Sequence, residues 1–339
     1  MNLHSDKELF HKIIKEVSDS LGLEKEVILK DYWVTNCLQN LSKDSIREYC
    51  VFKGGTSLSK TTSFVERFSE DIDFAIKIEG LSASKVKSVI TKLERILSNG
   101  LIEDEGFENR AKSGTYRISQ YKFENPYKNE ETEGINKILM FGESNEDDFI
   151  ELEGKEMKEN IQFEIMTFQE PTPTFMADIN SFIYEYLVRT ERNDVMEKYD
   201  IKPFQLEVLD IRRTVCEKLA ALILDSYQRD IGDLGKSVRH FYDLGTLQPL
   251  MEELFKDINY FVYMINTVKE AQLKTRFIEK YPHKVDWNKA PLFEKMYSSE
   301  LKHYYRRFES RFVYGNYKTL DDCISTVEWI HGMLLDNNL

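Results

Sequence analysis

The segment at residues 51–77, VFKGGTSLSKTTSFVERFSEDIDFAIK, constrains what this chain can fold into more than any other stretch. Its pattern predicts a short apolar strand, a Gly-Gly turn, a short helix and a second strand that carries two aspartates. Asp71 and Asp73 are two positions apart, so on a strand both side chains leave the same face, about 6.6 Å apart. Ile72 and Phe74 then point to the opposite, apolar face.

The polar residues of this segment suit the chemistry of phosphate groups. Two carboxylates on one strand face can hold Mg²⁺, which prefers oxygen ligands and is often shared with substrate phosphates. Gly54 and Gly55 allow backbone N–H groups to approach a phosphate closely. An amphipathic edge strand would explain the alternation of aspartate with apolar residues. It would not explain the other polar residues of the segment, which are Lys53, Thr56, Ser57, Lys60, Arg67 and Ser69. Together these features indicate phosphoryl or nucleotidyl transfer.

Four motifs, in order along the chain, resemble those of one protein family. They are KDYWV at 30–34, the KGGT and RFSEDID elements within 53–73, RTVCEKL at 213–219 and RHFYDL at 239–244. In these motifs the chain is similar to the AbiEii/AbiGii toxin nucleotidyltransferases, which include the MenT toxins and belong to the polymerase-beta-like superfamily. The resemblance implies an α+β fold, with a nucleotidyltransferase-type mixed sheet flanked by helices and followed by a C-terminal helical lobe.

The resemblance also implies roles for particular residues. The expected catalytic residues are Asp71, Asp73, Lys218 and Asp243. The expected nucleotide-binding residues are Lys53, Gly54, Gly55, Thr56, Ser57, Lys60, Arg67, Ser69, Arg213 and Arg239. The two downstream arginines are included because guanidinium groups bind phosphate oxygens in bidentate fashion. A salt bridge between Lys218 and Asp243 that joins two helices is a structural alternative, compatible with a role at the site.

A third carboxylate is expected from a neighbouring strand, as is common in this superfamily. Alternation within IQFEIM at 161–166 places Glu164 on the face opposite Ile161, Phe163 and Ile165. The expected metal ligands are therefore Asp71, Asp73 and Glu164, and the expected cofactor is Mg²⁺ or Mn²⁺, with an NTP as substrate. A solvated strand glutamate remains the alternative for Glu164.

The rest of the chain is organised in two parts. We expect an α/β nucleotidyltransferase domain at residues 1–200 and a helical domain at 201–339 that completes the cleft. Helices are predicted at 5–22, 24–41, 57–62 and 84–97, and strands at 49–52, 67–78, 116–123, 137–141 and 160–167. From residue 178 onward the pattern predicts helices almost to the end of the chain.

Composition limits the partners and the location. The chain of 339 residues has a net charge of −13, which argues against a broadly basic nucleic-acid-binding surface. It contains no run of 18 apolar residues and no signal-peptide pattern, so we expect a cytoplasmic protein without membrane contact.

The most specific expectation is transfer of NMP from an NTP to an acceptor hydroxyl. The family resemblance implies a toxin of a toxin–antitoxin or phage-defence system, with the 3′ end of tRNA as acceptor and a separately encoded antitoxin as partner. Transfer to a small molecule or a protein side chain is an alternative that the acidic net charge favours slightly. A non-catalytic nucleotide-binding interaction protein is a third possibility, which the intact Asp71/Asp73 pair argues against.

Overall fold

The computed structural model describes residues 2–69, 71–127, 159–167, 170–227, 231–273 and 285–337. The strand predicted at 137–141 lies outside these ranges. Within them, the chain forms a mixed sheet with helices on its faces, followed by a helical lobe, as the family resemblance implied. None of the helices in these ranges is both long and apolar enough to cross a bilayer.

One sheet of eight strands organises the first part of the described chain. The strands are β1 (Cys50–Lys53), β2 (Asp71–Ile76), β3 (Ile102–Glu103), β4 (Ala111–Lys112), β5 (Tyr116–Lys122), β6 (Asn160–Met166), β7 (Thr174–Ile179) and β8 (Phe204–Leu209). Their order is β3-β5-β6-β2-β1-β8-β7, and β4 pairs with β5. The pairs β2–β6 and β1–β8 are parallel, whereas the other pairs are antiparallel.

Helices pack on this sheet and then form the second part of the chain. They are α1 (Lys7–Leu21), α2 (Lys25–Ser42), α3 (Gly54–Thr61), α4 (Ala83–Leu97), α5 (Phe182–Arg189), α6 (Asn193–Tyr199), α7 (Ile211–Ser226), α8 (Ile231–Lys236), α9 (Val238–Leu254), α10 (Ile258–Leu273), α11 (Leu292–Lys295), α12 (Ser299–Phe312) and α13 (Leu320–Asp336). Short 3-10 turns occupy Leu3–Ser5 and Ser45–Tyr49. The Asp6 side chain caps α1, and Gly22 ends it in a left-handed conformation.

Two hydrophobic cores correspond to the two lobes. The first contains the apolar face of the sheet with α1, α2, α4, α5 and α6, and it extends along the chain to Val208. The second is built from the helices that follow β8, together with Leu58 and Val65 from the first half of the sequence. Leu58 lies in α3, so this short helix is packed into the helical lobe while it contacts β2 in the sheet.

Several predicted boundaries differ from the structure. Residues 204–209 form β8 inside the sheet, so the helical prediction from residue 178 onward is wrong there, and the expected boundary at residue 200 falls before the last strand of the sheet. The strand that carries Asp71 and Asp73 was predicted to begin at residue 67, but it begins at Asp71. Arg67 forms only an isolated bridge to Val313. The helix predicted at 57–62 begins earlier, at Gly54.

Candidate active site

Three carboxylates project from one face of the sheet where β2 and β6 lie side by side. These strands are parallel and in register, with Asp73 opposite Glu164 and Asp71 opposite Gln162. Because side chains alternate along a strand and paired residues share a face, Asp71, Asp73 and Glu164 are on the same side of the sheet. All three are half-buried, whereas Ile72 between the aspartates is fully buried on the other face. The structure thus brings together the three residues predicted as metal ligands.

The charges of this cluster repel one another. Desolvation raises the pKa of Asp73 well above its usual range, and repulsion from Glu164 and Asp71 raises it further. Desolvation likewise raises the pKa of Glu164, while a hydrogen bond donated by the Tyr116 hydroxyl at 3.2 Å acts in the opposite direction. In the described part of the chain, the Asp73 carboxylate forms no hydrogen bond and no ion pair. A bound cation would relieve this repulsion.

The donor set fits a magnesium ion that is shared with a substrate. No three His, Cys, Asp or Glu side chains in the described ranges converge closely enough to hold a metal ion by themselves. Mg²⁺ usually keeps several waters and takes one or two protein carboxylates together with substrate phosphates, so it does not need such a cage. Manganese shares this preference for oxygen ligands.

The first turn of α3 lies directly against the carboxylates. Lys53, the last residue of β1, is paired with Asp73, and α3 begins at the next residue. Gly54 has a φ of +80°, and a Cβ at this position would lie 2.0 Å from Asp73 Oδ2. A Cβ on Gly55 would lie 2.6 Å from Arg67 Nη2. Both positions therefore require glycine, and the unsatisfied N–H groups of this helix N-terminus are placed where an anion can bind beside the metal ligands.

The hydroxyl groups of this turn are used within the protein. The Thr56 hydroxyl donates to the backbone carbonyl of Asp71, and the Ser57 hydroxyl donates to the carbonyl of Gly54 at 2.9 Å. Both residues are buried. The third hydroxyl predicted to bind nucleotide, that of Ser69, forms no hydrogen bond with the residues that the structure describes. It lies 3.0 Å from the position that a Cβ on Gly55 would occupy.

A chain of ion pairs from α7 supports Lys53. The Lys53 ammonium contacts Glu217 Oε2 at 2.6 Å, and Arg213 Nε contacts Glu217 Oε1 at 3.3 Å. Burial by itself raises the pKa of Glu217, but the charges of Lys53 and Arg213 offset this and hold it below its usual value. Glu217 was not among the predicted site residues. Its signal in the sequence is the i,i+4 spacing from Arg213, which places both side chains on one face of α7.

A second, fully buried ion cluster joins the two lobes. Asp243 on α9 accepts two bonds from Arg67, Nε at 2.6 Å and Nη2 at 2.8 Å, and it contacts Lys218 Nζ on α7 at 2.6 Å. Burial by itself raises the pKa of Asp243, but Arg67 and Lys218 more than offset this and hold it well below its usual range. The predicted salt bridge between Lys218 and Asp243 is therefore present.

Burial limits the access of a substrate to Arg67, Lys218 and Asp243. The exposed fractions of the side chains are 2% for Arg67, 6% for Lys218 and 0% for Asp243. In this conformation the Asp243 carboxylate is fully buried and paired with Arg67 and Lys218, and its direct role in catalysis stays a prediction. Arg67 likewise directs its guanidinium to Asp243 and to Gly55 instead of to open solvent.

The two remaining predicted cations lie in different surroundings. Arg239, at the start of α9, is half exposed, and its Nη1 is 3.9 Å from Asp71 Oδ2, so it lies at the rim of the carboxylate cluster. Lys60 lies at the other end of α3. Its ammonium donates to Asp31, to the Thr35 hydroxyl at 2.9 Å and to the Asn180 carbonyl at 2.9 Å. All three of its donors are used within the protein, and its predicted role in nucleotide binding stays a prediction.

Known proteins similar to this chain include one solved structure and one protein family. No curated protein sequence matches the chain. Among solved structures, one similar chain is MenT4, a nucleotidyltransferase toxin from Mycobacterium tuberculosis H37Rv, with 14% identity, a TM-score of 0.47 and coverage of 95% of this chain and 98% of that one. The family profile described as nucleotidyl transferase AbiEii toxin, type IV toxin–antitoxin system, matches residues 36–325. The protein thus belongs to the AbiEii family of nucleotidyltransferase toxins.

Proposed function

We propose that the protein transfers the NMP group of an NTP to an acceptor hydroxyl at the carboxylate cluster, with Mg²⁺ held by the phosphates of the NTP together with the carboxylates of Asp71, Asp73 and Glu164. The observation that supports this proposal is the contact between α3 and the cluster, where Gly54 leaves no room for a Cβ beside the Asp73 carboxylate. The helix N-terminus that would bind the phosphates thus lies beside the carboxylates that would bind the metal. The chemistry that Mg²⁺ supplies there is polarisation of the α-phosphate and neutralisation of the leaving pyrophosphate.

Different residues of the chain bind the phosphates and compensate the charges of the carboxylates. The N–H groups of the first turn of α3 bind the β- and γ-phosphates, and Arg239 adds a positive charge at the rim of the site. Lys53, fixed by Glu217, offsets part of the charge of Asp73 and Glu164. The acceptor hydroxyl gives up its proton to solvent, its oxygen forms a bond to the α-phosphorus, and the bond to the pyrophosphate leaving group breaks. In-line placement of these groups supplies much of the rate enhancement.

The buried Arg67–Asp243–Lys218 cluster acts as a positioning device in this proposal. Arg67 lies beside Gly55, so fixing Arg67 fixes one wall of the phosphate site. Since Asp243 and Lys218 belong to the helical lobe, the cluster makes the geometry of the phosphate site depend on the packing of both lobes. The predicted catalytic roles of Lys218 and Asp243 become indirect.

The acceptor in this proposal is the 3′-terminal hydroxyl of tRNA, and the protein acts in the cytoplasm. Membership of a type IV toxin family implies an antitoxin as partner and an NTP as substrate. A single-stranded 3′ end can enter a cleft without the broad basic surface that a net charge of −13 disfavours. The same charge supports the second candidate, transfer to a small molecule or to a protein side chain.

A transfer assay with α-³²P-labelled NTPs tests the proposal. Each NTP is incubated with the protein and with total RNA, total protein or a mixture of small acceptors, with Mg²⁺ or with chelator. We expect label in the tRNA fraction, only with divalent metal, and none with Asp73→Asn. Label in protein or in small molecules would favour the second candidate. Equal transfer in chelator would contradict metal binding by the carboxylates.

A further inference from the structure

A cavity of about 250 Å³ lies against α3, beside the phosphate site. Its volume is just below the roughly 300–1,000 Å³ of typical small-molecule pockets. Thr56 and Ser69 line it. The Thr56 hydroxyl donates to the carbonyl of Asp71, and Ser69 lies against Gly55, so the cavity shares a wall with the proposed phosphate site. The transfer reaction proposed above assigns no ligand to this cavity.

One wall of the cavity is aromatic. Phe182, at the start of α5, and Tyr314, which follows α12, both line it. Their rings meet edge to face, with centroids 5.8 Å apart and an interplanar angle of 88°. Both residues are only half-buried, so ring surface remains available to a flat ligand. Because Phe182 belongs to the sheet lobe and Tyr314 to the helical lobe, the cavity is lined by residues of both lobes.

Most of the charged side chains that line the cavity, Asp31, Lys60 and Arg67, are held in ion pairs. Lys60 uses its three donors on Asp31, Thr35 and Asn180. Glu185 lines the cavity, and among the described residues no cation forms an ion pair with its carboxylate. Desolvation raises the pKa of Glu185, as does repulsion from Asp31. A carboxylate accepts hydrogen bonds at both oxygens, so a matching ligand offers hydrogen-bond donors, and an amino group is one such donor.

We propose that this cavity binds a nucleobase that carries an exocyclic amino group, with the base stacked on Phe182 and Tyr314 and its amino group donating to Glu185. The inference deepens the proposed function and rests on it, since a nucleobase there would belong either to the NTP or to the terminal nucleotide of the acceptor. Cytosine, adenine and guanine present such an amino group, and uracil does not. Stacking on aromatic side chains binds bases generally, whereas the carboxylate provides the discrimination.

Binding of phosphate-free nucleosides tests the cavity without requiring catalysis. Cytidine and uridine differ at C4, amino in one and carbonyl in the other, and their dissociation constants can be measured by ligand-observed NMR titration. We expect cytidine to bind about tenfold more tightly than uridine, Glu185→Gln to abolish that preference, and Phe182→Leu to weaken both by about tenfold or more. The control is Glu197→Gln, the same change at an exposed position on α6 that does not line the cavity.

The nucleoside measurements distinguish a base-binding cavity from one that does not bind bases. Equal binding of both nucleosides by the wild type, or values unchanged in Glu185→Gln and Phe182→Leu, would overturn the proposal. A failed metal or transfer experiment would leave these nucleoside measurements untouched, so the two proposals can fail independently. A thermal melt of each variant confirms folding, and Glu185→Gln is at an exposed position where a change of fold is not expected.

Transfer assays then identify the source of the base. If the NTP occupies the cavity, Glu185→Gln should reduce the ratio of CTP to UTP use by about tenfold without changing the preference for the acceptor end. If the acceptor occupies it, the same variant should instead change the preference between short oligoribonucleotides that end in C and in U. Either result supports the cavity as a base site, and a variant that alters neither preference contradicts it.

Discussion

At the scale of single residues, the site depends on the absence of a side chain at Gly54. Alanine there would adopt a φ near +80° and would place its Cβ against the Asp73 carboxylate. We expect Gly54→Ala to lose activity by about 10²-fold, because displacing a catalytic group by about 1 Å has an effect of that order. Gly80→Ala is the matched control, since Gly80 has a φ of +72° and nothing lies within 4 Å of a Cβ built there.

The comparison of these two variants separates the effect of backbone strain from the effect of the contact between a Cβ at position 54 and Asp73. Both should lose about 1–2 kcal/mol of unfolding free energy from the left-handed backbone, as denaturant titration would show. Only Gly54→Ala should lose transfer. Similar activity losses in the two variants would mean that backbone strain, and not the approach of α3 to Asp73, accounts for the effect.

Replacing Asp73 should lower the activity of the protein but raise its stability. Its pKa is raised in the folded protein, so its ionised form destabilises the fold at neutral pH. We expect Asp73→Asn to reduce transfer by about 10²–10⁴-fold and to raise the melting temperature measured without metal. The exposed Asp178 on β7 is the control, and Asp178→Asn should change neither quantity. A lower melting temperature for Asp73→Asn would contradict the repulsion inferred for the cluster.

At the scale of elements, α7 and α9 are joined to the loop before β2 by the buried charges of Arg67, Lys218 and Asp243. Asp243→Asn would leave two buried cations facing each other without a counter-charge. We expect it to cost about 3–5 kcal/mol of unfolding free energy, whereas Lys218→Met should cost less because Arg67 still neutralises Asp243. Denaturant titration measures both values.

An exposed ion pair provides the comparison for this cluster. Lys256 and Glu253 form a pair on the surface, with side-chain exposures of 70% and 68%. Lys256→Met should change stability by less than about 1 kcal/mol, since exposed pairs contribute little. If Lys218→Met proved more costly than Asp243→Asn, the cluster would not be organised around the carboxylate as the geometry indicates.

At the scale of the whole molecule, the pH dependence of stability should reflect the half-buried His240. Burial first, and then the charges of Lys218 and Arg239, lower the pKa of this histidine well below its usual range. The unfolded chain therefore takes up a proton near pH 6.5 before the folded protein does. The part of the unfolding free energy that is linked to neutral His240 is fully present above that pH. It is lost as the pH falls, and the unfolding free energy then decreases by up to about 1.4 kcal/mol per pH unit.

Unfolding free energies measured between pH 7.5 and pH 5 check this expectation. His240→Gln should flatten the dependence relative to the wild type, while the same change at the exposed His303 on α12 should leave it unchanged. The raised pKa values of Asp73 and Glu164 act with the opposite sign as the pH falls. They are common to all three proteins, so they cancel in the comparison. Identical slopes for wild type and His240→Gln would contradict the prediction.

The sequence by itself determined the local features of this protein. The alternation around Asp71 and Asp73 predicted a strand with both carboxylates on one face, and the structure confirms that strand. The order of the motifs predicted the α+β fold and the family, and both are confirmed. These predictions succeeded because strand alternation, glycine conformations and short motifs are properties of residues close together in the chain.

Only the tertiary structure decided which of the predicted residues share one site. The pairing of Asp73 with Glu164 joins positions far apart in the chain, and β8 was missed because its strand contacts are with β1 and β7 and not with its sequence neighbours. Lys60 and Asp243 carry the charges that phosphate binding and catalysis would use, yet their partners are Asp31 and the Arg67–Lys218 pair. A side chain's charge is fixed by its type, but its partner and its burial are fixed by packing between elements.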